Sequence, residues 1–349
     1  MKKLLSKVRR KQPQEPAGRI TTDTLAEHRE QVLAGGRKFK YPVQYQRHRL
    51  VINALIIGVA ALVLLIALGW YMLYVAKNTS EFMYRVTKVV PVPVAVVDGQ
   101  QVRYSDYLMK YRSAAHYLTE KEQIDVKSSD GKNQLAYVQE QAMDDAIADA
   151  YAAKLARELD VQVSDADLET FLKQQRQSSD GEVSETTYNA VIRDYYGWSP
   201  QEYRSAMKSK LLRQKVSYAV DSHAEDVSKT IESKVKAGAT DLKALADEIN
   251  AKTKDAVVYM PGEWVPKTNQ DGGLAEAAAK LSKGQISTAI KTTSGDGYYY
   301  IKLIDSNDTQ VQYEYIQVPL KEFEAKLAQI EKDNKLTQFI KLEETAQQQ

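Results

Sequence analysis

At 349 residues the chain has room for a membrane segment and two modest domains. Its net charge of +2 hides an asymmetry: thirteen Lys and Arg face only four Asp and Glu before Val51, an excess of +9, and everything from Val51 onward balances at −7. There is no cysteine, which excludes disulfides and a lipoprotein anchor.

In chain order, residues 1–48 form a basic tail. Pro13, Pro16 and the Gly35-Gly36 pair are expected to break any long helix, leaving a short one from Asp23 to Leu33. Val51–Val75 then carries no charge, and its one strongly polar residue, Asn53, lies near its start. A helix of about 20 apolar residues crosses the hydrocarbon core, so residues 49–76 read as a transmembrane helix. Trp70, Tyr71 and Tyr74 cluster at its end, where amphipathic rings favour the headgroup layer. The basic flank puts the N-terminus in the cytoplasm and the larger part outside. The leader is too long for a signal peptide, and Lys77-Asn78 follows where a small-residue cleavage site would stand. Contact with anionic lipid and the topological role account for the tail's charge, so no nucleic-acid partner is expected.

Residues 77–93 read as a linker: a polar spacer to Lys88, then alternating prolines that favour extended backbone. Ala95–Val97, Asp98-Gly99 and Val102–Tyr104 predict a hairpin with a type I′ turn. Ser105-Asp106 is placed to cap a helix reaching Leu118, and Lys121–Asn133 reads as a loop. From Gln134 to Leu159, Met143, Ile147, Tyr151, Leu155 and Leu159 form one ridge of an amphipathic helix. Asp144, Asp145 and Asp149 lie off that ridge and read as a solvated face rather than a metal site. Ser164 caps a helix to Gln177, a loop follows through Gly181, and Thr186–Tyr196 is a helix stopped by Gly197. Ser199-Pro200-Gln201-Glu202 opens a helix reaching Val220, with Tyr203, Met207, Leu211, Leu212 and Val216 on one side.

The strings AVVDGQQVRYSDYLMKY, YVQEQAMDDAIADAYAAKLARELDVQVSDADLETFL and YGWSPQEYRSAMKSKLLRQKV, in that order, resemble the opening of SurA/PrsA-type extracytoplasmic foldases. The resemblance implies a helical chaperone lobe over 94–222 that holds unfolded exported polypeptides. That family commonly continues into parvulin peptidyl-prolyl isomerase domains. Lys236-Ala237-Gly238 before Leu242, Lys283-Gly284-Gln285-Ile286-Ser287, and Tyr298–Leu303 are similar to parvulin steps, implying a small parvulin-like domain with an antiparallel sheet over 223–320. The parvulin pattern departs where its chemistry sits. Its strand histidine falls at Tyr299 and its aromatic wall residue at Leu274, and no histidine follows His223. The usual first strand is missing before Val227, and Asp221–Asp226 reads instead as an acidic loop or helix cap. Gln312–Val318 carries the missing pattern and is expected to pair with Tyr298–Ile304, putting Tyr315 at the vacated histidine position. A helix from Glu322 to Ile330 and a frayed end from Glu343 close residues 321–349.

The expected fold class is α+β, mainly helical. Leu274, Tyr299 and Tyr315 are the candidate client or pocket residues. No Ser-His-Asp order, Walker loop or dinucleotide fingerprint is present, and no cofactor or metal is expected. The 22 tyrosines against 5 phenylalanines suit either promiscuous binding or plain replacement of Phe in the core. The reading is an ATP-independent, membrane-anchored extracytoplasmic chaperone near the exit of the secretion channel, with a degenerate isomerase domain. Its rivals are an active isomerase and a scaffold for one folded envelope partner.

Overall fold

The structure, a computed structural model, describes residues 22–178 and 181–342, in two compact units that divide after Met72. The expected Pro13 and Pro16 breaks and the frayed end from Glu343 lie outside the described residues. The first unit contains helix α1 (Thr22–Trp70), which runs without a break through Gly35-Gly36 and Pro42. The short helix expected from Asp23 to Leu33 is therefore corrected. Glycine in a helix costs only about 1 kcal/mol, and helix growth from an existing apolar nucleus needs no second nucleation. His48–Val75 is long and apolar enough to cross a membrane, and its 18-residue apolar window is unburied.

The second unit begins in a π-helical turn, Tyr71–Val75, that ends the apolar run. Leu73 is buried here, and Tyr74 donates to the Pro93 carbonyl at 2.6 Å, so Tyr74 faces protein rather than headgroups. The spacer expected from Lys77 to Lys88 is instead helix α2 (Glu81–Val89), capped by Ser80 and burying Met83, Tyr84 and Thr87. Nine residues give too few apolar positions for a period to show.

Strands β1 (Pro93–Val97) and β2 (Gln100–Arg103) pair antiparallel around Asp98 and Gly99, at φ 45° and 79°, the type I′ geometry expected. Helix α3 (Tyr104–Glu120) starts directly from β2, so Ser105 lies inside its first turn and does not cap it. Tyr104 fixes that start: it is fully buried, and its hydroxyl donates to the Leu73 carbonyl at 2.8 Å. Helix α4 (Ser129–Glu158) begins earlier than expected, with Ser128 as cap. Its acidic face is not simply solvated. Asp149 is half-buried between Lys110 at 2.8 Å and Arg213 at 3.5 Å, and Arg213 also meets Asp145 at 2.9 Å. Asp144 is exposed and makes no ion pair among the described residues, although desolvation and the nearby Glu140 carboxylate raise its carboxyl to about 6. The seam joins α3 and α4 to α7 (Pro200–Val220).

Between them lie α5 (Asp165–Gln175), the two-residue strands β3 (Gln177–Ser178) and β4 (Gly181–Glu182), and α6 (Glu185–Tyr196). Capping boxes at Ser164/Asp167 and Ser199/Glu202 open α5 and α7, and Gly197 ends α6 at φ 65°. Val163, Leu168, Leu172, Ile192 and Tyr203 form the core of this helical lobe's far end.

Helix α8 (Ser222–Lys236) follows α7 with Asp221 as its cap, then α9 (Leu242–Lys252). Strand β5 (Val258–Pro266), helix α10 (Leu274–Ala278), and strands β6 (Ile290–Lys291), β7 (Gly297–Ser306) and β8 (Gln310–Pro319) build an antiparallel sheet in the order β5-β8-β7-β6. The expected pairing of the last two strands is present, with Tyr299 opposite Gln317 and Ile301 opposite Tyr315. One sheet face, with Tyr298, Tyr300, Ile316 and Val318, packs on α8 and α9. The other, with Tyr299, Ile301, Leu303, Val311 and Tyr313, packs on α10. The chain then returns. Helix α11 (Glu322–Lys332) sets Phe323 5.7 Å from Tyr151 of α4, and strand β9 (Leu336–Gln338) pairs with β1. The stretch expected as helix and tail thus completes the first sheet, in the order β2-β1-β9.

Two buried or half-buried carboxylates hold the joints. Asp221 accepts from the backbone N–H of Ala224 at 2.8 Å, of Lys321 at 2.7 Å and of Glu322 at 3.1 Å, pinning both crossings between lobe and sheet domain. Glu202 accepts from Tyr84 at 2.6 Å, Ser199 at 2.8 Å and Lys88 at 3.2 Å, tying α2 to α7. Burial opposes its ionisation, but these hydrogen bonds outweigh it and bring the carboxyl from 4.5 down to about 2. A lowered folded value means that stability is fully present above 4.5 and is lost as pH falls through about 2. Glu202→Gln is expected to cost about 1–2 kcal/mol at neutral pH. Its acid-unfolding curve should also lose less stability than the parent between roughly pH 5 and pH 2. Parallel curves for the two proteins would remove Glu202 from this role.

Candidate functional site

The three residues singled out from sequence come together under α10. Leu274 and Tyr299 are buried, Tyr315 is half-buried, and the Tyr299 and Tyr315 ring centroids are 5.5 Å apart. Alternation along β7 and β8 aims Tyr299 and Tyr315 at one face, where Leu274 meets them from α10. Tyr313, not singled out from sequence, extends the layer with its ring 6.3 Å from that of Tyr315. The period-two Tyr313/Tyr315 spacing was the available signal.

Two hydroxyls of this layer, those of Tyr299 and Tyr313, are committed. Tyr299 donates to Asp296 Oδ2 at 2.7 Å and Tyr313 to Asp271 Oδ2 at 2.6 Å. Burial first, and then the carboxylate partner, raise both phenols above their ordinary value. Burial and the carboxylates of Asp296 and Asp271 raise Tyr315 as well. Asp296 also accepts from Ser294 at 2.7 Å, Thr292 at 2.9 Å and the Gln317 amide at 3.2 Å. Burial alone would raise its carboxyl; the donated hydrogen bonds from Tyr299, Ser294 and Thr292 reverse that and hold it below its ordinary value. A carboxylate so fully hydrogen-bonded is a poor proton acceptor, and phenols held as donors to carboxylates are not aimed at a substrate amide. His223 sits exposed in the first turn of α8. Among the described residues, no three His, Asp or Glu side chains gather to hold a metal.

Beside this layer lies an open cleft of 810 Å³ between the helical lobe and the sheet domain. Phe171, Leu211 and Tyr218 line it from α5 and α7; Leu281, Ile286 and Ile290 line it from the sheet side. Gln174, Lys215 and Lys280 supply polar groups. The turn after β6 forms its latch. Gln214 Nε2 donates to the carbonyls of Thr293 at 2.8 Å and Ser294 at 2.9 Å, and Tyr218 donates to the Gly297 carbonyl at 2.6 Å. Lys291 lies 4.5 Å from the Tyr218 ring centroid. Gly295 is required at this approach: its φ is +72°, and a Cβ would stand 2.3 Å from Gln214 Cγ. Asp296 therefore serves two structures at once, the tyrosine layer and the latch. Apolar walls with amides and ammonium groups between them suit an extended polypeptide held by shape and contact.

Residues 44–217 match the family described as the SurA-like N-terminal domain, so this part of the chain is a SurA-like N-terminal domain. The match begins inside α1 and ends in α7. No curated protein and no solved structure matches the chain significantly.

Tyr299→Phe keeps the ring contacts and removes one donor to Asp296, so a stability loss of about 1 kcal/mol and a rise in the Asp296 carboxyl pKa are expected. Carboxyl titration by NMR reads this directly, and an unmoved Asp296 would sink it. Gly295→Ala should break the latch with little change to either core. Hydrogen exchange would then quicken at 292–297 while α8 and α9 stay protected. Unchanged exchange at the turn would show that the latch is not needed.

Proposed function

We propose that the protein is a membrane-anchored, extracytoplasmic holding chaperone that takes unfolded exported polypeptides without ATP. The observation that carries this is the cleft, whose one wall, α5 and α7, belongs to the SurA-like domain. In this reading residues 1–48 are a cytoplasmic tail and α1 crosses the membrane. Residues 94–222 form the client-holding lobe, and 223–320 form a parvulin-like domain that lends the second wall. The nascent chain leaving the secretion channel is the client, and tethering keeps the local concentration of chaperone high where it emerges. The committed hydroxyls of Tyr299 and Tyr313 favour this over catalysis. An isomerase must stabilise a twisted amide in the transition state, which takes donors free to engage it.

The test is refolding of a denatured protein whose slow phase is proline isomerisation, with the full chain held in nanodiscs. The whole chain is used because a cut at Val89 would strip away buried Met83, Tyr84 and Thr87. The expected result is suppressed aggregation with an unchanged slow phase. Leu211→Glu, which puts a charge on the apolar wall, should weaken suppression about tenfold. Acceleration of the slow phase at substoichiometric chaperone would overturn the reading in favour of an isomerase. Crosslinks to a single folded partner, instead of many exported chains, would overturn it in favour of a scaffold.

A further inference from the structure

We infer that α2 is a membrane-surface helix whose outer face lies in the headgroup layer of an anionic bilayer, the one that the preceding apolar helix crosses. The inference rests on the anchored reading above and adds a second attachment to it.

Three observations point there. The first is connectivity. Leu73 and Tyr74 are already built into the lobe, and only Ala76–Ser80 separate the end of the apolar run from α2. Five residues reach about 17 Å at full extension, so α2 cannot lie far from the bilayer surface.

The second is the division of the helix into two faces. Met83, Tyr84 and Thr87 are buried against the lobe, whereas Phe82 is 70% exposed and Val89 is 82% exposed. Phe82, Arg85, Val86 and Val89 stand at i, i+3, i+4 and i+7, a single stripe opposite the buried one. Val90, 52% exposed, continues that stripe past the helix end. Among the described residues, Phe82, Val89 and Val90 are left uncovered, and Val86 is partly buried at the edge of the stripe. An apolar stripe on a short basic helix next to a membrane span is the form taken by helices that lie in the interface.

The third is charge. Arg85 points outward with its side chain 76% exposed, and Lys77 and Lys88 flank the stripe. The acids nearby are already engaged: Glu81 with Arg85 at 2.8 Å and with Arg112, and Glu202 with Lys88 at 3.2 Å. Arg85 keeps donors free for a lipid phosphate beyond its contact with Glu81. A basic rim around an apolar stripe complements an anionic headgroup layer, and nearness to the bilayer selects lipid over a protein partner. Held at both the span and α2, the lobe would be fixed against the membrane instead of swinging from a single tether.

Because the chain has no cysteine, a single introduced one carries a label without further change. An environment-sensitive fluorophore would be placed at Val90→Cys, leaving Phe82 and Val89 intact, with Gly58→Cys and Lys236→Cys as references in the span and at the far end of α8. The full chain is reconstituted in nanodiscs of phosphatidylcholine, with or without phosphatidylglycerol, containing lipids with a nitroxide near the headgroup to read positions 90 and 236 or, to read position 58, in the middle of the acyl chain. Quenching at position 90 is expected to exceed that at 236 by about threefold or more, and to grow with the phosphatidylglycerol fraction. It should fall towards the 236 level in Phe82→Glu/Val89→Glu, whose changes are on exposed positions and leave the buried face intact. Quenching at 58 but not at 90 would overturn the surface helix while the anchor stands. No quenching at 58 would overturn the anchor and this inference with it. Equal quenching at 90 with and without anionic lipid would overturn the role given to Arg85 and its neighbours.

Discussion

The second unit depends on one aromatic junction. Tyr104 is fully buried with its ring centroid 5.9 Å from that of Tyr74 and 5.7 Å from that of Tyr107, and Phe339 comes within 6.4 Å of Tyr74. Such edge-to-face pairs add about 0.5–1.5 kcal/mol each beyond the area they bury. What matters more is which parts of the chain they join: the end of the apolar run, the start of α3 and the last described strand. Because β1 pairs on one side with β2 and on the other with β9, the lobe's first sheet stays open until the C-terminal segment arrives. The sheet domain is therefore inserted between α7 and α11, with two crossings to the lobe. Asp221 ties both with one carboxylate.

The same economy explains the excess of tyrosine over phenylalanine. At the joints a ring must fill apolar space while its far end satisfies a polar group, which phenylalanine cannot do. Tyr84 reaches Glu202 between α2 and α7, Tyr107 meets Gln139 between α3 and α4, and Tyr218 reaches Gly297 between the lobe and the sheet domain. Inside the sheet domain, Tyr300 exchanges hydrogen bonds with Ser228 of α8. Beside the two readings open from composition, promiscuous binding and simple replacement of Phe, these four positions show a third use. These tyrosines are connectors.

Local chemistry was legible in the sequence wherever it acts within a few residues. Asp98-Gly99, the Ser199-Pro200 capping box and the β7–β8 hairpin each carry their own signal, and the structure places all of them as read. Leu274, Tyr299 and Tyr315 were singled out through the resemblance to parvulin steps; strand alternation by itself puts Tyr299 and Tyr315 on one sheet face, and Leu274 reaches them from α10. What escaped has its cause in distance or brevity. Strand β9 has three residues and is defined only by β1, more than 200 positions earlier. Helix α2 has one buried stripe of three side chains, too few for a period. Asp149 read as solvated because Lys110 and Arg213, which enclose it, come from two other helices. The commitment of the Tyr299 hydroxyl was hidden for the same reason: it depends on how the 292–297 turn folds back, which no spacing announces.

That turn links the two halves of the proposed function. Asp296 collects Tyr299 from the sheet core and Thr292 and Ser294 from the turn, while Gln214 and Tyr218 of α7 hold the same turn from the lobe. A group so placed has two uses that exclude each other. Were Tyr299 free to face a substrate amide, Asp296 would lose a donor and the turn would loosen where it lines the cleft. With Tyr299 bound, the turn is held by hydrogen bonds from both sides where it lines the cleft. On the proposed reading, the hydroxyl that stands where a catalytic histidine would be is the one that stiffens the client-holding cleft, so loss of isomerase chemistry and gain of a fixed cleft wall follow from the same hydrogen bond.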